Sequence, residues 1–499
     1  MNCLYDALFG RHRDNAADFL ILPDGTRISF AGFVGLAAQH AHAWRAAGVK
    51  PGDRVALHLE KSVHMLAAVA GAIQAGVIFL PLNTAYTAAE VGYFVENSGA
   101  RLLICDPKSE SILAPVAPQV RTLAVDGAGS FGDLARAAPV TYPTEAREAG
   151  DLAAFLYTSG TTGRSKGAML SHANLLSNAR VLVDEWRFGP RDVLLHALPI
   201  FHTHGLFVAT NVALLAGCPM VFLPKFDLEQ VIAWLPKSTV MMGVPTFYTR
   251  LLEDARLDRD LVAGMRLFVS GSAPLLAETH RQWQGRTGHV ILERYGMTET
   301  NMNTSNPYDG ERRAGTVGRP LPGIEVRVCD DGGAVLPAGQ IGMVEVRGPN
   351  VFQGYWQMPD KTRQELRDNG FFITGDLGEF SADGYLTIVG RGKDLVISGG
   401  FNVYPKEIEL ALDDLPGVLE SAVIGAPHPD LGEGVVAVVV PEPGAQLTPE
   451  ALVAALAGRL ARFKQPRHIV LRSELPRNTM GKVQKALLRA ELAGVFGAA

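Results

Sequence analysis

Through the first three quarters of the chain, short apolar runs of strand length alternate with longer segments that carry hydrophobic residues at helical spacing. No other feature constrains the fold as much. Residues 53–59 predict a strand, 62–75 a helix and 77–82 a second strand. The same beat returns at 193–198, 220–223, 240–244 and 267–269. Near-continuous apolar strands separated by helices need cover on both sheet faces, so the expected fold is an α/β body with largely buried parallel or mixed sheets. From 326 to 346 the pattern turns to short strands with turns at 330–333 and 337–339, which predicts a β-rich subdomain. Beyond it lies a compact α+β pattern, with strands at 418–425, 435–441 and 468–471 and a helix at 449–462. The boundary falls at Lys393, inside the charged junction Gly390-Arg391-Gly392-Lys393-Asp394, giving a large domain over 1–392 and a small one over 393–499.

Composition narrows the class of partner. A net charge of -5 leaves no basic footprint for nucleic acid, and a hydrophobic fraction of 47% fills a sizeable core. The four cysteines, Cys3, Cys105, Cys218 and Cys329, are far apart and form neither a C-x-x-C pair nor a disulfide framework, as expected of a reducing, cytoplasmic setting. The start lacks the charged and apolar regions of a signal peptide. The longest apolar stretch, 65–80, is interrupted by Gln74 and too short to span a bilayer, so no membrane association is expected. A monomer or weak homo-oligomer is expected.

The segment Tyr157-Thr158-Ser159-Gly160-Thr161-Thr162-Gly163-Arg164-Ser165-Lys166-Gly167 gathers three glycines, several hydroxyls and two cations, a composition suited to cradling phosphate. It is not a Walker A loop: five residues after Gly160 comes Ser165 and five after Gly163 comes Ala168, where a second glycine is required, and Lys166 is followed by glycine, not Ser or Thr. Its flanks are strand-like on both sides, at 152–157 and 168–170, and a helix begins only after Ser171, a plausible N-cap followed by Leu175, Ala179, Leu182, Val183 and Trp186. A Gly/Ser/Thr linker has no need of such apolar flanks.

This loop resembles the phosphate-binding signature of the adenylate-forming superfamily, which comprises acyl-CoA synthetases, peptide-synthetase adenylation domains and luciferases. Other segments match in the same order: Tyr295-Gly296-Met297-Thr298-Glu299, Thr374-Gly375-Asp376, Gly390-Arg391-Gly392-Lys393-Asp394 and Pro476-Arg477-Asn478-Thr479-Met480-Gly481-Lys482. The resemblance implies ATP and Mg²⁺ as cofactors and coenzyme A as co-substrate. A carboxylate attacks the α-phosphate of ATP, and the CoA thiol then attacks the resulting acyl-adenylate.

It also implies residue roles. Lys482 contacts the carboxylate and α-phosphate, a task for a mobile point charge, although a lone lysine after glycine is ordinarily a solvated surface residue. Glu299 and Thr158 stand around Mg²⁺, and Thr158, Ser159, Gly160, Thr161, Thr162, Gly163 and Lys166 hold the phosphates. Gly271, Ser272, Ala273 and Pro274 pack against adenine, together with Glu293, Arg294, Tyr295, Gly296, Met297 and Thr298. Asp376 and Arg391 receive the ribose. Lys393 is a hinge about which the small domain rotates, and Ser398, Gly399 and Gly400 border the pantetheine tunnel.

Arg294 makes the expectation more specific. On a segment lining the acyl pocket, a guanidinium suits a second carboxylate and not a fatty or aryl tail, with Arg250, Ser272 and His202 completing the grip. Taken alone, Arg250 at a helix end and Arg294 beside Glu293 also read as structural charges. His202 and His204, spaced H-x-H, would share one side of a strand, but no third ligand accompanies them, so zinc is disfavoured. The local text at 199–205 and 293–305 is similar to that of the superfamily's malonate-activating members. Malonate, with methylmalonate as a variant, is therefore the expected acid. The alternatives are a CoA ligase for another short acid, a freestanding adenylation module loading a carrier protein, and a non-catalytic nucleotide-binding regulator.

Overall fold

The computed structural model describes residues 1–158, 165–398, 401–428, 431–457, 459–460, 462, 464–478 and 481–497. A six-stranded sheet is built from the parallel strands Arg54–His58, Ile78–Pro81, Leu102–Cys105 and Val120–Thr122, joined by Leu152–Thr158, and ends in the antiparallel pair Leu152–Thr158 and Lys166–Ser171. A nine-stranded sheet has the parallel centre Met220–Phe222, Leu194–His196, Val240–Gly243, Leu267–Ser270 and Leu292–Met297. At one end it turns back antiparallel through Asn301–Ser305. The expected α/β body is thus present, and the strand predictions at 53–59, 77–82, 220–223, 240–244 and 267–269 fall within a residue or two of the observed elements.

Local chemistry explains the boundaries. Ser62 caps the helix Val63–Gln74 by accepting from the Met65 N–H at 3.1 Å, and every residue from Met65 to Gln74 is buried, as a helix enclosed between layers requires. Ser171 closes a reciprocal capping box with Asn174 at the start of His172–Glu185. Two strands therefore flank the phosphate-type loop and a helix follows only after the second, as expected from sequence.

The β-rich subdomain is a four-stranded antiparallel sheet of Glu325–Cys329, Gly342–Arg347, Phe372–Phe380 and Leu386–Arg391. Beyond it, Val396–Ser398, Phe401–Val403, Val418–His428, Gly432–Pro441 and His468–Leu471 form a separate sheet. Two hydrophobic clusters draw only on residues from Val396 onward. The helix predicted over 449–462 ends at Leu456. Among the described residues no helix is long and apolar enough to cross a membrane.

One acid in this C-terminal region is poorly placed. Burial pushes the Asp413 carboxyl up to about 7, with Glu409 and Glu420 acting in the same direction, against Lys406 and a 2.7 Å hydrogen bond from Ser421 Oγ. A carboxyl whose pKa is higher folded than unfolded binds its proton more tightly in the native state. It therefore costs stability as pH rises from about 4 to about 7. Asp413→Asn keeps the acceptor for Ser421 and is expected to raise Tm by a few degrees at pH 8 and by little at pH 4, measured by calorimetry across that range.

Candidate active site

At the mouth of the phosphate-type loop, Thr158 and Lys166 are direct cross-strand partners. Thr158 Oγ1 lies 3.4 Å from Glu299 Oε1, and Tyr355 Oη lies 3.0 Å from that same oxygen and 2.7 Å from Glu365 Oε2. Lys166 Nζ stands 3.2 Å from Glu365 Oε2 and over the Tyr355 ring at 4.1 Å. The phenol has one proton for two carboxylates, so it satisfies one of them at a time. Burial raises the Glu299 pKa, with Lys166 and Tyr355 opposing it. A buried carboxylate beside a hydroxyl, with no sulfur or imidazole nearby in the contact set, is an oxygen-donor arrangement that fits a hard cation retaining water and phosphate ligands. Among the described residues no group of three or more His, Cys, Asp or Glu is placed to hold a metal ion.

A second cluster forms where the β-rich sheet meets the nine-stranded one. Asp376 and Arg391 are cross-strand partners, with Arg391 Nε 2.7 Å from Asp376 Oδ1, and Tyr295 Oη donates to Asp376 Oδ2 at 2.6 Å. The carboxylate holds Arg391 strongly protonated, and burial and Asp376 together raise the Tyr295 phenol. Lys482 belongs to this cluster although it lies far along the chain: burial and Arg391 lower its pKa while Asp376 and Asp394 pull the other way. The side chain is exposed at its surface, yet enough protein surrounds it for desolvation to act. The preceding Gly481 packs on the N-terminal body, where an added Cβ would lie 3.2 Å from Thr246 Oγ1. An ion pair between Arg489 and Asp394 also ties the region down.

The third cluster surrounds Arg294, buried on the strand Leu292–Met297. Neighbours on a strand point to opposite faces, and no ion pair joins Arg294 to Glu293, whose Oε1 instead accepts from Leu275 N at 3.2 Å. Among the described residues the Nε and Nη2 of Arg294 have no hydrogen-bond partner, nor do Ser270 Oγ and His204 Nε2. Burial lowers the Arg294 pKa to about 9, with only Tyr248 and Glu293 opposing it. The same burial, with Arg294 next in weight, holds His202 at about 4 and His204 well below the usual imidazole value. Room for the guanidinium exists because residue 271 is glycine: a Cβ there would lie 2.7 Å from Arg294 Nε. Ser272 next to it has a positive φ of 72°, a strained conformation for a residue with a side chain, and places its Oγ 3.2 Å from His204 Nδ1.

Placement of the remaining expected residues is mixed. His202 and His204 are not on a strand. They occupy a turn and the start of the π-helical segment His204–Thr210, because the strand ends at His196. Arg250 is exposed, its guanidinium 5.9 Å from the Phe226 ring. It shares a face of the helix Pro245–Leu252 with Thr246, the residue against Gly481. Ala273 and Pro274 follow Ser272 in the same loop, and Gly296, Met297 and Thr298 lead from Tyr295 to Glu299. The backbone of Lys393 lies in the short turn Gly392–Asp394, and its side chain is outside the described residues. Ser398 is buried at a strand end, whereas Ser159, Gly160, Thr161, Thr162, Gly163, Gly399 and Gly400 lie outside the described residues. Tyr355, Glu365, Tyr248 and Ser270 went unpredicted. None stands in a motif that announces it, and Tyr355 and Glu365 reach Glu299 and Lys166 only through the fold.

With this geometry in hand, comparison with known proteins is direct. Residues 9–356 match the family described as AMP-binding enzyme, and 407–482 match the AMP-binding enzyme C-terminal domain. The chain belongs to the AMP-binding enzyme family. It is 33% identical to a malonate–CoA ligase of Arabidopsis thaliana over 91% of this chain and 80% of that one. It is 35% identical to a sulfoacetate–CoA ligase of Cupriavidus necator over 94% of each. The crystal structure of ATP-bound MatB from Rhodopseudomonas palustris superposes with a TM-score of 0.97 at 55% identity over 99% of both chains. The apo form of the same protein superposes with 0.85.

The Gly271 contact can be tested directly. Gly271→Ala is expected to force the Arg294 guanidinium out of its position, at a cost of about 1–3 kcal/mol in stability, read from denaturant unfolding. A variant as stable as the native chain would show that the guanidinium has room to spare.

Proposed function

We propose that this protein ligates malonate to coenzyme A at the expense of ATP, through a malonyl-adenylate and with release of pyrophosphate and then AMP. The observation that carries the choice of acid is the buried Arg294 guanidinium, two of whose nitrogens have no hydrogen-bond partner among the described residues, where no neighbouring acid makes hydrogen-bond contact with it. A buried charge left in that state costs several kcal/mol until an anion arrives, so the pocket favours an acid that brings a second negative group. The likeness to a ligase named for malonate and to one named for sulfoacetate, both doubly charged short acids, supports the same choice.

Each cluster then has a task. Thr158 and Glu299 would hold Mg²⁺, which supplies neutralisation of the phosphate charge when bound. Lys166 is already beside them and exchanges Glu365 for phosphate. Asp376 and Arg391 receive the ribose hydroxyls, and the loop 271–274 borders the adenine. Arg294 grips the distal carboxylate, with Ser272, His202 and, from the helix Pro245–Leu252, Arg250 around it. The grip leaves the proximal carboxylate free to approach the α-phosphate. Lys482 provides the mobile positive charge there, and catalysis is positioning plus charge stabilisation without a covalent enzyme nucleophile.

The separate hydrophobic clusters beyond Val396 support a division into residues 1–392 and 393–499 with Lys393 as hinge. The closer superposition on the ATP-bound relative, together with Gly481 against Thr246, supports reading this arrangement as the adenylating one. Rotation about the hinge would withdraw Lys482 and bring Ser398, Gly399 and Gly400 to the CoA path. A cytoplasmic monomer or weak homo-oligomer accords with the four free cysteines.

Two substitutions test this. Arg294→Leu is expected to lower kcat/KM for malonate by at least about a hundredfold, mostly through KM, while the KM for ATP stays within about twofold and use of propionate relative to malonate improves. Near-normal malonate turnover, or a native enzyme that prefers propionate over both malonate and sulfoacetate, would remove the dianion assignment. Lys482→Ala is expected to slow adenylate formation by about a hundredfold or more while thioester formation from supplied malonyl-adenylate survives. Equal loss in both half-reactions would falsify the division of labour between the two domains.

A further inference from the structure

Behind the Arg294 pocket lies a buried lysine that none of these tasks uses. Lys61 follows the strand Arg54–His58, and its ammonium group is enclosed by protein. Among the described residues its polar and ring contacts come from two residues: Nζ lies 2.9 Å from His196 Nδ1, 2.8 Å from the His196 carbonyl oxygen and 4.3 Å from the centre of the Phe222 ring. Among the described residues no carboxylate pairs with it, and Glu60, its neighbour in sequence, faces solvent.

The hydrogen bonds fix which groups carry protons. His196 Nε2 lies 2.9 Å from the Gly205 carbonyl oxygen, which only accepts, so Nε2 carries the ring proton and Nδ1 offers a lone pair to Lys61. Lys61 thus donates to Nδ1 and to a carbonyl, and its third direction faces an aromatic ring. Burial moves the Lys61 pKa well below its usual value; against it stand two acceptors and an aromatic face, a set that suits an ammonium, whereas a neutral amine would aim its lone pair at the π cloud. Beside this cation, and fully buried, His196 is held well below its usual pKa and stays neutral.

The same carbonyl carries the arrangement to the pocket. Gly205 O also accepts from Thr210 Oγ1 at 2.8 Å, so its orientation at the start of the π-helical segment is set by two side-chain donors. The segment can pass so close because residue 205 is glycine: a Cβ would enter the van der Waals shell of the Pro199 carbonyl. His204, one residue before, joins Ser272 Oγ and lies within the electrostatic reach of both His196 and Arg294. From Lys61 to Arg294 the groups are therefore cation, neutral imidazole, neutral imidazole, cation. Tyr248 and Glu293 are the only acidic groups that act on the arginine.

We infer that Lys61 is a specificity-determining positioning residue: through His196 and the Gly205 carbonyl it fixes the turn that carries His204, and its charge biases the acyl pocket toward acids with two anionic groups. It does not touch substrate. The inference rests on the malonate reading above and extends it to a residue outside the pocket. A purely structural lysine would change stability or all acids alike. A charge-biasing one changes the ratio between a dianion and a monoanion of similar size.

The experiment measures initial rates of AMP release with malonate and with propionate, along with the KM for ATP and the melting temperature. The proteins are the native full-length enzyme, Lys61→Met, Lys61→Gln and Lys61→Arg. Lys61→Met is expected to lower kcat/KM for malonate by about tenfold, chiefly in KM, leave propionate unchanged or improved, and hold or raise Tm, because an unpaired buried charge has been replaced by an apolar chain. Lys61→Arg is expected to restore most of the preference. Should Lys61→Met fail to fold, Lys61→Gln, which retains a donor for His196 and drops the charge, carries the comparison. Equal losses for both acids in the neutral variants, or an unaltered preference, overturn the inference while the malonate reading stands. A native enzyme that itself prefers propionate removes the malonate reading first.

Discussion

A guanidinium buried without an acid is the constraint around which the acyl end of this protein is arranged. In an ordinary core such a charge would be paired or replaced, since an uncompensated buried ion costs several kcal/mol. Here the surroundings keep it unpaired. Gly271 withdraws its bulk to admit the group, Glu293 is directed to the opposite face by strand alternation, and the nearby imidazoles are held neutral by the same desolvation that lowers the arginine. On the proposed reading the pocket stores an electrostatic deficit that a second carboxylate would remove on binding, and that deficit would discriminate against monoanions without any steric device.

The nucleotide end shows the reverse balance. Glu299 is buried and raised, Glu365 already holds two lysines, and Tyr355 has one proton to share between those carboxylates. Glu299 itself makes no ion pair among the described residues, and its burial is what a divalent cation would relieve. One end of the cleft lacks an anion and the other lacks a cation, so acid and metal-bound nucleotide each cancel a local imbalance. Between them Lys482, lowered by burial and then by Arg391, would be the group whose position decides when the two substrates react.

How much of this was legible in the sequence follows from how local each signal is. Strand and helix periodicity is local, so the parallel strands, the Ser171 cap and the strand–loop–strand context of the phosphate-type loop were readable to within a residue or two. Arg294 was readable because charge on an apolar strand beside a motif is anomalous. Tyr355 and Glu365 were not, since a tyrosine after glycine and a glutamate on a short helix are unremarkable until the fold brings them to Thr158 and Lys166. The helical path at His204 was also missed. Apolar residues on either side of the histidines imitate a strand, and what bends them into a π-helical turn is the tertiary hydrogen bond from His196 to Gly205 O.

That last miss bears on how selectivity is encoded in such a site. The residues that touch a small substrate are few, and a single arginine would serve any acid with a second anionic group. Finer discrimination has to come from how rigidly the surrounding turn is held and from charges too far away to make contact. In this chain both are vested in the proposed unit of Lys61 and His196, the first just beyond a strand of one sheet and the second at the end of a strand of another. Relatives with other acids can therefore keep the whole nucleotide apparatus and alter selectivity by changing residues at this seam, where no substrate-contact motif would reveal the difference.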